Sequence, residues 1–196
     1  MKTLISSALG ALLLMAGVGA SAQDEARVSA DAERAQAAMN DLGSRLKTAL
    51  VAKMQAEGPV AAVGFCHEEA PLIAADVSAE HGLRVGRTAV RHRSPANAPT
   101  PWQEEVLAGF VEEAKEKPAG SLSWVSREGA TYRQARGIAT EAPCLTCHGS
   151  NIAEPVRQAI AAKYPGDQAT GFSEGDLRGM FWVEIADSAG ATEVSP

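Results

Sequence analysis

The segment Cys144-Leu145-Thr146-Cys147-His148 constrains this 196-residue chain more than any other. Two cysteines separated by two residues, with a histidine directly after the second, have a specific mechanical reading. Both thiols add to the vinyl groups at the edge of a haem ring, and the adjacent imidazole reaches the iron at its centre. Consecutive residues then serve two different places, so Cys147 and His148 are neighbours without strain. Three other readings compete. A zinc site would take Cys66 as a fourth ligand, but Cys147 and His148 would have to bend onto one ion, whereas zinc ligand pairs are usually spaced by two to four residues. A thioredoxin-like redox pair is expected at the end of an early strand, and this pair follows a Pro-containing loop late in the chain. A disulfide across a two-residue gap closes a small, strained ring.

The beginning of the chain favours the haem reading. Lys2, the apolar stretch Leu4 to Val18 and the small-residue pattern Ala20-Ser21-Ala22 read as an export signal spanning residues 1–22, with cleavage before Gln23. Covalent haem attachment in bacteria occurs outside the cytoplasm, so a periplasmic protein is expected. An uncleaved anchor is the alternative, although the apolar part is short for a spanning helix. No later stretch is free enough of charge to cross a bilayer. Residues 23–196 suffice for one domain with a real core. The formal net charge of -6 becomes one unit more negative once Lys2 is removed, which argues against a nucleic-acid surface.

Periodicity supplies the elements. Ala35, Met39, Leu42, Leu46, Leu50 and Met54 recur every three or four residues, predicting a long helix over 24–57 that ends at Gly58-Pro59. A second helical stretch runs from Val60 towards Glu80, carries Cys66, is punctuated by Pro71 and stops near Gly82. Leu83 to Arg93 reads as a strand with Arg87, Arg91 and Arg93 on one side. Thr100-Pro101-Trp102-Gln103 fits a capped helix start whose buried face is Val106, Leu107, Phe110 and Val111. Ser121–Arg127 and Thr131–Ile138 flank a Glu128-Gly129 turn as two strands. A short helix near Pro155–Lys163 precedes a last strand, Asp176–Ile185. Front-loaded helices and sparse strands able to pair antiparallel indicate an α+β domain, with strand order undetermined.

One haem has a second axial position. His67, His81, His92, Met39, Met54, Met180 and Cys66 are the candidates. A lone Met is more often core packing, His81 reads as a solvated helix end, and His92 reads as exposed. Cys66 sits among Val63, Gly64 and Phe65, and from residue physics alone it is equally well a buried hydrophobe or a ligand. Arg87, Arg91 and Arg93, with Arg84 nearby, are either a solvated strand edge or partners for the two haem propionates.

Several stretches together resemble the Tll0287-like (DUF3365) family of c-type haem domains. They are Phe65-Cys66-His67-Glu68-Glu69-Ala70-Pro71, Gly86-Arg87-Thr88, Arg93-Ser94-Pro95-Ala96-Asn97-Ala98-Pro99 with Trp102, and Cys144 to Gly149. Tyr164 to Phe172 and Gly175-Asp176-Leu177-Arg178-Gly179 complete the set, in order and over nearly all of residues 23–196. The resemblance implies a PAS-like α+β domain with a long N-terminal helix, holding one covalent haem c. It also implies His148 and Cys66 as the two axial ligands. Ser94 and Ala89 depart from the family pattern, where Asn and Ser are expected, and both lie in the arginine-rich stretch.

A thiolate ligand favours ferric iron and lowers the reduction potential. The first function expected is therefore low-potential electron transfer to a redox partner protein. The alternative is a redox or diatomic-gas sensor acting through a separate partner, such as a membrane sensor, since the same domain stands at the front of membrane sensor kinases. A haem enzyme such as a peroxidase would need a distal acid–base pair, for which His67 is the sole candidate.

Overall fold

The apolar spacing that begins at Ala35 forms one face of a long helix, α1 (Ala16–Glu68). Gly58 interrupts it with φ 83° and ψ 173°, a backbone state open to glycine, and Pro59 follows. The expected helix end is thus a kink after which the chain resumes its helix. This computed structural model describes residues 16–186. The charged start and most of the apolar part of the expected leader lie outside the described residues, while Ala20-Ser21-Ala22 falls in the first turns of α1.

Helix α2 (Ala70–His81) carries Pro71 in its first turn, where no N–H partner is needed, and ends at Gly82 in the left-handed conformation. Strand β1 (Arg84–Thr88) follows, then α3 (Pro101–Glu113), begun as expected by Gln103, whose side-chain oxygen accepts the Thr100 backbone N–H at 2.9 Å. Strands β2 (Ser123–Glu128) and β3 (Thr131–Ala139) form a hairpin about Gly129, at φ 58°. The chain closes with α4 (Leu145–His148), α5 (Glu154–Lys163) and β4 (Leu177–Ala186). The four strands make one antiparallel sheet in the order β1-β4-β3-β2, an α+β fold. No helix among the described residues is long and apolar enough to cross a membrane.

The strand expected over 83–93 stops at Thr88. Its pairing partner β4 leaves register there, and the next residues bond a loop instead: His92 C=O accepts from Gln168 N, and Arg91 Nε donates to Gln168 C=O. Arg87, Arg91 and Arg93 therefore do not share one side of a strand.

Alternation along β4 sorts the core into two layers. Phe181, Val183 and Ile185 face α1 and α2, where Ala35, Met39, Leu42, Leu46 and Val77 are buried, with Val85 of β1 beside them. Met180 and Trp182 face α3, packing with Val106, Leu107 and Phe110. A third cluster of Val63, Ile152, Val156, Ile160 and Tyr164 ties the end of α1 to α5 and touches Cys147. The α1 stripe changes role along its length: Ala35 to Leu46 pack on the sheet, but Leu50 and Met54 overrun it and line a cavity. Leu42 is fully buried where α1 meets the sheet. Leu42→Ala is expected to cost about 2–5 kcal/mol in urea unfolding; a loss well under 1 kcal/mol would show that this helix–sheet layer is not the core.

Candidate functional site

The Cys144–His148 segment is helical, a Pro143-containing turn leading into the single turn of α4. At a spacing of three, Cys144 and Cys147 lie on one side of that turn, and His148 is carried round from them. Gly149 closes the turn by donating its N–H to Leu145 C=O, and a Cβ on Gly149 would stand 2.7 Å from that oxygen. The turn is pinned from outside by Gly171 N–H on Gly149 C=O and Phe172 N–H on His148 C=O, both at 2.9 Å. Gly171, at φ 76°, supplies the bend that brings the second segment in.

The imidazole of His148 has one nitrogen committed. Nδ1 lies 2.6 Å from Ala169 C=O, an acceptor, so it carries the proton and leaves the Nε2 lone pair for a metal. Burial, with repulsion from Arg178, Arg93 and Arg87, pushes the His148 pKa down to about 2 despite that hydrogen bond. The ring is neutral, hence a competent ligand, over all ordinary pH.

Arg93 holds the pieces in register. Its side chain pairs with Asp167, Nε and Nη2 each 3.1 Å from a carboxylate oxygen, and Nη2 also donates to Cys147 C=O at 2.6 Å and Ala169 C=O at 3.2 Å. Asp167 accepts Ala169 N–H in turn, at 2.9 Å. The two side chains are only 10% and 9% exposed, so this is a buried ion pair with charge-assisted bonds to the very carbonyl that orients His148.

A cavity of about 430 Å³ opens beside α4, within the range of roughly 300–1,000 Å³ for cofactor sites. Cys66, Cys144, Cys147 and His148 all line it, although Cys66 stands on α1, far from the others in sequence. Leu50, Met54, Val63, Phe65, Ile138 and Phe181 contribute apolar wall. Burial pushes the Cys66 thiol pKa up, while the Arg87 and Arg93 guanidiniums oppose that shift and favour the thiolate. None of the three cysteines is in a disulfide. Among the described residues no three His, Cys, Asp or Glu side chains gather closely enough to hold a metal ion by themselves.

The three arginines separate. Arg87, on the Val85 side of β1, lines the cavity. Arg93 lines it too, with its guanidinium engaged by Asp167. Arg91 is exposed and stacks on Phe172, 4.2 Å from ring centroid, outside the cavity lining. His92, expected to be exposed, is half-buried and lines the cavity. Of the other ligand candidates, Met39 and Met180 are fully buried core, and His81 bonds Asp41 at 3.1 Å. His67 is exposed, edge-on to Tyr164, so no acid–base group for peroxidase chemistry reaches the cavity from it. Met54 does reach it. Sequence reasoning missed Arg178, a half-buried cavity residue whose place in the Gly175–Gly179 stretch was its only signal.

Asp167→Ala strands the buried Arg93 charge and is expected to cost about 3–5 kcal/mol in urea unfolding. A change below 1 kcal/mol would mean that Arg93 is hydrated rather than locked.

Comparison with known proteins places the chain among its relatives. The Tll0287-like family matches residues 18–186. The crystal structure of the cyanobacterial heme-protein Tll0287 is similar with a TM-score of 0.51 at 32% sequence identity, covering 60% of this chain and 70% of that one. Among curated proteins, none matches. The match runs through the cavity walls and the Cys144–His148 turn alike, and the chain belongs to the Tll0287-like family.

Proposed function

We propose that this protein is an exported, monohaem c-type redox protein that transfers electrons at low potential. The observation that carries the reading is the convergence of two thiols on one helical turn, an oriented neutral imidazole and a distant third thiol on one cavity of cofactor size. The similar solved structure is a heme-protein, which supports haem as the group. The donor set fits it. Cys144 and Cys147 each add S–H across a vinyl C=C, sulfur to one carbon and hydrogen to the other, with no leaving group. His148 Nε2 and Cys66 Sγ are the axial ligands, and Arg87 is the one of the three expected arginines that lines the cavity without a hydrogen bond or ion pair among the described residues. The bound haem supplies a one-electron couple at its iron.

The residues of the chain set the character of that couple. His148 is held in one tautomer and orientation by Ala169 C=O, itself braced by Arg93. Cys66 as thiolate favours the ferric state, and Leu50, Val63, Phe65 and Phe181 give the cavity apolar walls. The leader over residues 1–22 directs the chain to the periplasm, where attachment takes place, and the partner is a separate redox protein.

A second reading, a redox or diatomic-gas sensor signalling through a separate partner, draws on one observation. Cys66 and Arg87 also border a second cavity of about 380 Å³, between β1 and the start of α3, which leaves the thiol room to depart on reduction.

Purified holoprotein is expected to give a c-type pyridine haemochrome at one haem per chain, and Cys144→Ala/Cys147→Ala to give none. A haem that acid-acetone extracts from the wild-type protein would contradict covalent attachment. Cys66→Ala is expected to raise the midpoint potential; an unchanged potential rejects Cys66 as ligand. Carbon monoxide binding to the reduced wild-type protein would favour the sensor, and its absence the carrier.

A further inference from the structure

The register of the sheet breaks at one place, and the break aims a charge. Ile138 pairs with Gly179 and Ala139 with Leu177, so Arg178 is the extra residue of a β-bulge in β4. Bulges re-aim side chains, often beside functional sites. Here the fold also commits a glycine next to it: Gly179 has φ 156°, and a Cβ would stand 2.4 Å from Thr88 C=O and 2.8 Å from Ala89 Cβ. The re-aimed Arg178 lines the cavity.

Among the described residues it has no carboxylate of its own, Asp167 being paired with Arg93. Arg178 Nη1 donates to Arg91 C=O at 3.2 Å, and the guanidinium lies 5.2 Å from the Phe172 ring centroid; no carboxylate pairs with it among the described residues. Arg87 and Arg93 stand close enough to repel it. Burial above all, and then their repulsion, lower its pKa to about 10 against a weaker attraction from Asp167. Of these three guanidiniums only Arg93 has an acid, Asp167. The carbonyl that Arg178 bonds belongs to the peptide leading into His92. That side chain also lines the cavity, and its Nδ1 is buried with no hydrogen-bond partner among the described residues. A buried polar atom without a partner is costly unless something else supplies one. A cation without an acid of its own and an imidazole nitrogen without a partner therefore both line the cavity.

We propose that Arg178 and His92 form a carboxylate cradle at the rim of the cofactor cavity. Its occupant is a propionate of the bound haem, with Arg178 giving a charged fork and His92 Nδ1 a single hydrogen bond. This rests on the haem reading above. It moves the propionate contacts from Arg91 and Arg93, which the fold employs elsewhere, to a bulge residue and an imidazole. The same chemistry would also accept a free carboxylate.

The test uses holoprotein of the wild type, Arg178→Gln, Arg178→Lys and His92→Phe, each first assayed by pyridine haemochrome. Resonance Raman of the reduced proteins is expected to show the propionate-bending band shifted in all three variants. The midpoint potential is expected to fall in Arg178→Gln, where a propionate charge is left uncompensated, and to fall less in Arg178→Lys. A c-type haemochrome with band and potential unchanged in Arg178→Lys and His92→Phe overturns the cradle while leaving the haem reading intact. A wild type without the haemochrome overturns the reading beneath both. Titrating wild-type holoprotein with acetate separates the sources: no effect on band or potential is expected, whereas saturable shifts would assign the cradle to a free carboxylate and overturn the propionate assignment.

Discussion

The Arg93–Asp167 pair is where the site's parts are joined. Arg93 comes from the stretch that leaves β1, Asp167 from the loop after α5, and their shared bonds reach Cys147 C=O and Ala169 C=O. A guanidinium has five donors in a fixed plane, so one side chain can hold three segments in a set geometry. Lysine in its place would keep the charge and lose the framework. Because Ala169 C=O also receives His148 Nδ1, the pair fixes which imidazole nitrogen faces the cavity. The electrostatics are consistent with that role: the same cation that braces the histidine's acceptor also repels a proton from the ring and favours the Cys66 thiolate.

Around this joint the fold distributes labour between its layers. The sheet and the first part of α1 make a conventional helix-on-sheet core, closed on the other face by α3. Past Leu46, α1 runs off the sheet and its apolar stripe continues as cavity wall, up to a kink at Gly58 that redirects it towards α5. Cys66 lies on the redirected part. The kink thus lets one helix serve both the core and the site, and brings a thiol from early in the chain beside a turn formed late in it.

Much of the fold was legible in the sequence because its signals are local. The hairpin turn at Gly129, the Gly82 cap, the Gln103 capping contact and the alternation of Phe181, Val183 and Ile185 each depend on residues near one another. The Cys144–His148 segment stood out in the sequence for the same reason, its residues being consecutive. What was not legible depends on long-range partners. Arg91 and Arg93 look like strand residues until the 167–169 loop is present to accept their bonds. His92 reads as exposed beside arginines, yet Arg178 and the cavity lie against it only in three dimensions. Arg178 stood in the Gly175–Gly179 stretch, but its aim at the cavity depends on a bulge, which is a property of two strands in register.

The proposed centre is an iron held between His148 and Cys66, and electron paramagnetic resonance of the ferric protein reads those ligands directly. A low-spin thiolate–imidazole signal is expected in the wild type and is lost in Cys66→Ala. A bis-imidazole or thioether–imidazole signal, with Met54 the thioether nearest the cavity, would contradict it.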